Sequence, residues 1–230
     1  MIVEEFKRQA AETAVTAIQS GMVVGLGTGS TAVFAVRALG KLLQDGRLHT
    51  IVAIPTSEAT AREAERVGIP LTTLDQHPLI DVGIDGADEI TPTLDLIKGL
   101  GGALLREKII TLATKRFIVI ADSSKKVPRL GIRAPLPVEV IPFARQPVHD
   151  YLVSLGARPV LRARQGQPFI TDEGNIILDC HFDNGIPDPL WLAQAIKQRP
   201  GVVEHGLFLG LAQTAVIAGT TGIELLGQPL

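Results

Sequence analysis

Several charged side chains between residues 80 and 108 have the types that proton transfer on a small polar substrate requires. Asp85 and Asp88 follow an apolar run typical of a buried strand, and open α/β sheets bind ligands at the carboxyl ends of their strands. Lys98 follows a second apolar segment and precedes glycines that let the backbone approach a ligand closely. Catalysis, a Mg²⁺ site and ordinary turn chemistry all stay open for the two aspartates, and Lys98 could instead be a surface lysine with a packed stem.

Glu107 is the carboxylate that the sequence places in the most apolar surroundings. It lies in the run Arg106-Glu107-Lys108, within an otherwise apolar helical segment. Consecutive helical residues diverge by about 100°, so the three charges cannot all face water if the helix is packed on most sides. A carboxylate in partly apolar surroundings suits proton transfer near neutral pH. The alternative is an ion pair with Arg106 or Lys108.

Residues 25–31, Gly-Leu-Gly-Thr-Gly-Ser-Thr, form a glycine loop between a short apolar strand and a helix. Ser30 replaces the third glycine of a dinucleotide-binding loop, and no Gly-Lys-Ser/Thr sequence follows. The loop and the helix N-terminus instead suit a single phosphate group, bound by backbone N–H groups and the helix dipole. Alternatively, Ser30 or Thr31 only caps the helix. Lys125, just past a later strand end, could meet an anion or lie in a solvated turn.

The composition indicates a globular protein with a large core. The 230 residues are 46% hydrophobic and 20% charged with a net charge of −2, which gives no electrostatic argument for nucleic acid or an anionic membrane. Cys180 is the only cysteine in the sequence, so no intramolecular disulfide is expected and a cytoplasmic location is favoured. We find no signal-peptide pattern, no apolar run of the ~18 residues that a membrane span needs, and no metal-ligand spacing among the histidines.

The order of strands and helices predicts an α/β fold in two parts. Strands alternate with helical segments in the first half, which favours a Rossmann-like, mostly parallel sheet. Prolines crowd residues 128–147, and beyond them the order β-α-β-β-α-β predicts a smaller ferredoxin-like α+β domain. The apolar tail 214–218 is expected to return to the first sheet. We therefore expect a catalytic domain of residues 1–130 plus 206–230 and a smaller domain of residues 131–205.

Four motifs, in order along the chain, resemble ribose-5-phosphate isomerase of the A type. They are Gly25-Leu26-Gly27-Thr28-Gly29-Ser30-Thr31, Asp85-Gly86-Ala87-Asp88-Glu89, Lys98-Gly99 through Arg106-Glu107-Lys108, and Pro135-Leu136-Pro137-Val138-Glu139-Val140-Ile141-Pro142. The resemblance covers nearly the whole chain. It implies interconversion of ribose 5-phosphate and ribulose 5-phosphate in the non-oxidative pentose phosphate pathway, with neither cofactor nor metal, by a homodimer or homotetramer.

The resemblance also implies a role for each site residue. Glu107 would carry a proton between C1 and C2 through an enediolate, and Lys98 would stabilise the developing oxyanion. Asp85 and Asp88 would hold sugar hydroxyls, and one of them would assist ring opening. Lys7 is a weaker candidate for the phosphate. Substrate contacts are implied at Thr28, Gly29, Ser30, Thr31, Asp85, Gly86, Ala87, Asp88, Lys98, Gly99, Leu100, Gly101 and Lys125.

Two departures from the family pattern leave the proposed catalytic groups in place. The glycine run after the lysine is usually Gly-Gly-Gly-Ala-Ala, whereas this chain has Gly99-Leu100-Gly101-Gly102-Ala103. Leu105 stands where a threonine or histidine often precedes the Arg-Glu-Lys sequence. Two other functions stay open: a non-catalytic sugar-phosphate sensor, which would normally need an output module, and a Mg²⁺-dependent sugar phosphatase that uses Asp85 and Asp88.

Overall fold

The computed structural model describes residues 2–230, and its elements follow the predicted alternation of strands and helices. The α-helices are α1 (Ile2–Val15), α2 (Ala32–Gln44), α3 (Glu58–Arg66), α4 (Leu104–Leu112), α5 (Arg145–Ser154) and α6 (Pro189–Lys197). The strands are β1 (Val23–Leu26), β2 (Val52–Pro55), β3 (Ile80–Gly86), β4 (Glu89–Ile90), β5 (Leu96–Ile97), β6 (Thr114–Asp122), β7 (Leu136–Val140), β8 (Arg158–Leu161), β9 (Ala163–Arg164), β10 (Gln167–Pro168), β11 (Ile176–His181), β12 (Val202–His205), β13 (Leu207–Phe208), β14 (Thr214–Gly219) and β15 (Gly222–Gly227).

The chain divides into two compact units. The first contains residues up to 87, 106–125 and 210–230, and the second contains residues 88–105 and 126–209. The domain limits given above stay a prediction. Residues 88–105 cluster with the second unit because β5 pairs there with β13.

The first unit is built on a six-stranded sheet in the order β15-β14-β6-β3-β1-β2. All neighbouring strands are parallel except β15, which forms an antiparallel hairpin with β14. The predicted return of the tail is confirmed, since β14 pairs with β6. The mostly parallel sheet of an α/β fold is therefore also confirmed.

Helices cover both faces of this sheet because successive strand residues point to opposite sides. Val24 and Leu26 of β1 belong to the core shared with α1 and α2. Gly25, between them, faces the other side, where a side chain at position 25 would press on Ile110 of α4. Ile110 forms a small core there with Ile54 and Ile80. The glycine in β1 thus allows α4 to pack closely.

The second unit contains a four-stranded antiparallel sheet in the order β12-β7-β11-β8, with α5 and α6 connecting its strands. The chain order β-α-β-β-α-β with this strand order is the predicted ferredoxin-like arrangement. Its buried core takes Leu136, Val138 and Val140 from β7 together with residues of α5 and α6. Two smaller sheets in the same unit, β13-β5-β4 and β10-β9, were not predicted.

Candidate active site

The polar loops of the first unit meet at one edge of its sheet. Strands β1, β3 and β6 are parallel neighbours, so the segments that follow them lie at the same end. This end of the sheet carries residues 27–31 of the glycine loop, the Asp85-Gly86-Ala87 sequence at the end of β3, and the single-turn helix Ser123–Lys125. The sequence-predicted phosphate loop, one of the aspartates and Lys125 therefore share an edge.

Asp85 holds the backbone of the glycine loop through hydrogen bonds to its carboxylate. Its Oδ1 accepts hydrogen bonds from the Thr28 N–H at 3.1 Å and the Gly86 N–H at 2.7 Å, and the side chain is 2% exposed. A side chain at Gly27 would overlap this carboxylate, so the close approach requires glycine there. The alternative of a solvated turn is therefore wrong for Asp85, although the carboxylate does hold the backbone at the strand end.

The last residues of the glycine loop bring a lysine close to the N-terminus of α2. Lys7 of α1 donates from Nζ to Ser30 Oγ at 2.9 Å, which brings an ammonium group to the loop. Gly29 has a φ of +113°, a conformation that favours glycine. Thr31 occupies the N-cap position of α2, but its side chain accepts no capping hydrogen bond. The cap interpretation of Thr31 is therefore wrong, and the arrangement suits an anion.

Thr28 directs its hydroxyl into a buried cluster. Its Oγ1 lies 2.7 Å from Thr56 Oγ1, 2.8 Å from Ser57 Oγ and 3.0 Å from Thr60 Oγ1. Thr60 in turn donates to the Gly27 carbonyl at 2.9 Å, and Thr56 donates to the Leu26 carbonyl at 3.1 Å. The cluster ties the glycine loop to the N-terminus of α3, where Ser57 is the predicted cap and accepts from the Thr60 N–H.

Glu107 is buried, as its sequence surroundings predict. It is 3% exposed, and Thr111 Oγ1 donates to its backbone carbonyl at 2.8 Å. Its neighbour Arg106 donates to Glu58 of α3 at 2.8 Å. The carboxylate of Glu107 is thus buried on a helix that packs against the sheet. Lys125 is half-buried at the end of its short helix.

In the second unit, Lys98 is buried and oriented. It is 2% exposed, its backbone N–H donates to the Gly206 carbonyl at 2.9 Å, and its Nζ lies 5.5 Å from the centre of the Phe208 ring. The alternative of a surface lysine is wrong. An ammonium group is expensive to bury, so this position indicates a role for its charge.

Asp88 holds the glycine run that follows Lys98. Its N–H donates to the Ile97 carbonyl at 2.8 Å, and its Oδ2 accepts from the Leu100 N–H at 2.9 Å. Leu100 therefore uses its backbone while its side chain is 40% exposed. Gly99 and Gly102 have φ values of +104° and +91°, so glycine is needed at those two positions and not at residue 100.

Glu89, which closes the acidic motif, anchors a loop. Its carboxylate accepts hydrogen bonds from the backbone N–H groups of Gly131, Arg133 and Ala134 at 2.5, 2.6 and 2.8 Å. It is 1% exposed. This fully used carboxylate is a structural part of the motif.

Two sets of residues around these loops were missed by the sequence analysis. Thr56 and Thr60 join the hydroxyl cluster, and Arg162 donates to the carbonyls of Gly99 and Leu100 at 2.9 and 3.1 Å. Each lies about 30 to 60 residues from the loop that it holds, so no local pattern signals the contact. Among residues 2–230, no three His, Cys, Asp or Glu side chains are grouped as a metal site needs, and no helix there is long and apolar enough to cross a membrane.

Comparison with known proteins identifies the family. The sequence profile of ribose 5-phosphate isomerase A (phosphoriboisomerase A) matches residues 52–222, and the ribose-5-phosphate isomerase A of Roseiflexus castenholzii is 58% identical over 97% of this chain and 96% of its own length. This chain belongs to the ribose 5-phosphate isomerase A family. The resemblance seen in the four motifs is thus confirmed over almost the whole sequence.

Solved structures of this family have the same fold. A D-ribose-5-phosphate isomerase in complex with phospho-erythronic acid superposes with a TM-score of 0.96 at 41% identity, covering 99% of this chain and all of that one. The ribose 5-phosphate isomerase of Plasmodium falciparum gives a TM-score of 0.95 at 39% identity, over 99% of this chain and all of that one. The α/β fold described above is therefore the family's fold.

Proposed function

We propose that this chain interconverts D-ribose 5-phosphate and D-ribulose 5-phosphate, with Glu107 as the base that moves the proton. The observation that carries the proposal is a carboxylate, 3% exposed, in the segment that aligns with the isomerase family. The same unit presents a helix N-terminus with Lys7 beside Ser30, which supplies a place for the substrate's phosphate.

The proton transfer proceeds in two balanced steps. Glu107 removes the C2 proton of the open-chain aldose, and the C–H electrons form a C1–C2 double bond while O1 takes the negative charge. The protonated Glu107 then returns a proton to C1, the O2–H proton passes to O1, C2 becomes a carbonyl and O1 ends as a hydroxyl. Nothing is oxidised overall because C1 is reduced as C2 is oxidised, so the step needs no external redox cofactor.

Lys98 is proposed to stabilise the enediolate. Negative charge appears on oxygen only along the reaction, so a fixed ammonium group favours the transition state over the bound sugar. The Lys98 side chain is 2% exposed, and a charge acts more strongly where water is excluded. Gly99, Leu100 and Gly101 are proposed to meet the same end of the substrate through their backbone.

The other site residues are proposed to bind the sugar and the phosphate. Asp85 and Asp88 would hold hydroxyls, and one of them would take the O1 proton when the sugar ring opens and the ring oxygen is protonated. Gly86 and Ala87 would contact the sugar beside them. Gly29, Ser30 and Thr31 would bind the phosphate with Lys125 and Lys7. Thr28 would border the substrate, since its hydroxyl faces Thr56 and Thr60 and its N–H donates to Asp85.

A homodimer or homotetramer and a cytoplasmic location complete the proposal. Cys180 is the only cysteine in the sequence, so the chain cannot form an intramolecular disulfide, which supports a reducing compartment. Exposed apolar side chains such as Phe143 and Leu112 are compatible with a buried interface.

The test is conversion of ribose 5-phosphate in the presence of EDTA, followed by ¹H NMR in D₂O. The isomerase proposal predicts ribulose 5-phosphate as product and deuterium at C1, because the proton on the base exchanges with solvent. Binding of ribose 5-phosphate without turnover would overturn it in favour of a sensor. Release of inorganic phosphate that EDTA abolishes would favour a Mg²⁺-dependent phosphatase.

A further inference from the structure

Arg162 makes hydrogen bonds to which the proposed reaction assigns no role. It follows β8, and its backbone N–H donates to the Ile177 carbonyl of β11 at 2.9 Å. Its guanidinium donates from Nε to Asp179 Oδ2 at 2.9 Å and from Nη2 to Asp179 Oδ1 at 2.5 Å. The side chains of Arg162 and Asp179 are 12% and 17% exposed. This bidentate pair fixes the plane of the guanidinium.

The remaining nitrogen of Arg162 holds the segment after Lys98. Nη1 donates to the Gly99 carbonyl at 2.9 Å and to the Leu100 carbonyl at 3.1 Å. One planar group thus spans a carboxylate on β11 and two successive carbonyls of the glycine run. A lysine ammonium lacks this fork and cannot reproduce all four contacts in one plane.

Fixing these carbonyls also fixes the neighbouring N–H groups. In a planar trans peptide group the C=O and the N–H point in opposite directions. The Leu100 N–H therefore points away from Arg162, and it donates to Asp88 Oδ2 at 2.9 Å. The Gly101 N–H also points away from Arg162, and within the described chain it donates to no group. It is left for a substrate oxygen or water.

Phe169 supports the same segment from the side. A side chain at Gly102 would overlap the Phe169 ring, and the Phe169 N–H donates to the Arg162 carbonyl at 2.9 Å. Two cations flank that ring: the guanidinium carbons of Arg162 and Arg164 lie 5.9 and 5.5 Å from its centre. Arg164 is exposed and shares the ring without a hydrogen bond to the glycine run, which makes it a matched control.

We propose that Arg162, oriented by Asp179, is a positioning residue that sets residues 98–101 for the enediolate. The inference rests on the proposed function, since it assigns a task to the segment that contains Lys98. The two carbonyls held by Arg162 place the Leu100 amide on Asp88 and the Gly101 amide toward the enediolate, and the hydrogen bonds to Arg162 polarise both peptide groups. Because these groups act where charge develops, their misplacement lowers turnover more than it weakens substrate binding.

The first experiment compares Arg162→Lys with Arg164→Lys. Arg162→Lys is expected to lower kcat by roughly 10- to 100-fold with KM changed less than about threefold, because small misplacements at a reacting centre cost up to about 10²-fold. Arg164→Lys should match wild type. Equal kcat values for the two variants would overturn the inference. An Arg162→Lys effect confined to KM would also overturn it.

The second experiment separates positioning from general damage to the fold. Inhibition by phospho-erythronic acid, a carboxylate-bearing sugar phosphate, should weaken about as much as kcat in Arg162→Lys, whereas inhibition by inorganic phosphate should stay within about twofold of wild type. If inhibition by phospho-erythronic acid and inhibition by inorganic phosphate weakened equally, Arg162 would have a merely structural role and the inference would be contradicted.

The third experiment tests the part played by Asp179. Asp179→Asn keeps an acceptor for Nε and should lower kcat less than Arg162→Lys does. Added to Arg162→Lys, it should cost less than about twofold more, since both changes break one unit. Should Arg162→Lys fail to fold, Asp179→Asn carries the test, and an unchanged kcat would refute the inference. An inactive wild type would instead refute the proposed function itself.

Discussion

At the scale of single residues, the site depends on groups whose hydrogen bonds are already committed inside the protein. Thr28 belongs to a loop expected to contact the substrate, yet its hydroxyl faces Thr56, Ser57 and Thr60. Thr56 and Thr60 each donate their single proton to a carbonyl of the loop. The cluster therefore fixes the backbone of residues 26–28.

Thr60→Val tests this account of the loop. The change keeps the shape but removes the donor to the Gly27 carbonyl, so the free energy of unfolding is expected to fall by about 1 to 3 kcal/mol. We expect KM for ribose 5-phosphate to rise several-fold as the loop loosens. Thr60→Ser retains the hydroxyl and should restore both quantities. Urea unfolding and initial-rate kinetics provide the measurements, and a Thr60→Ser variant as impaired as Thr60→Val would contradict the account.

At the scale of secondary-structure elements, Glu139 on β7 joins the sheet of the second unit to the turn before β11. Its Oε1 accepts from Thr171 Oγ1 at 2.9 Å and from Asn175 Nδ2 at 3.0 Å. Burial raises the pKa of Glu139 above its usual 4.5 and outweighs these two hydrogen bonds, which lower it. The nearby charges of Glu173 and Glu204 raise it further.

The raised pKa of Glu139 gives a stability difference that depends on pH. An acid with a higher pKa in the folded state binds its proton more tightly there, so its contribution is complete below the unfolded pKa and is lost as pH rises through the folded pKa. Glu139→Gln keeps the acceptor and does not titrate. Its free energy of unfolding, relative to wild type, should therefore increase as pH rises above about 4.5.

Urea unfolding of wild type and Glu139→Gln between pH 4.5 and 8 measures this difference. Glu65→Gln, at an exposed position on α3, provides the control for replacing a glutamate by glutamine. If the relative stability of Glu139→Gln did not change over this range, the carboxylate would not be the buried, proton-binding group that its surroundings indicate.

Element boundaries and burial could be predicted where the pattern is local. The apolar surroundings of Glu107 predict that it is buried, and the structure places it at 3% exposure, whereas the sequence left the position of Lys98 open and the structure shows it to be 2% exposed. The pairing of β5 with β13 could not be predicted, because two-residue strands have no measurable period and the partners are more than 100 residues apart. Arg162 was missed for the same reason, since its task depends on the approach of distant carbonyls.

At the scale of the whole molecule, the residues to which the family resemblance gives a task are found in both units. The first unit contains Glu107, Asp85 and the glycine loop, and the second contains Lys98, Asp88 and the glycine run. The parallel strand order of the first sheet explains why the loops of residues 27–31 and 123–125 share an edge although about 90 residues separate them. The order of strands predicts from the sequence that these loops share one end of the sheet. The hydrogen bonds made by the loops are known only from the structure.

The most direct test of the central claim is kcat for ribose 5-phosphate isomerisation by Glu107→Gln in EDTA. The substitution keeps the side-chain shape and removes the proton acceptor, so kcat should fall by at least ~10²-fold with a modest change in KM. Glu58→Gln alters an exposed carboxylate on α3 that accepts a hydrogen bond from Arg106, the neighbour of Glu107 on α4. This variant should retain wild-type kcat. A Glu107→Gln variant with wild-type kcat would contradict the account and transfer the role of base to Asp85 or Asp88.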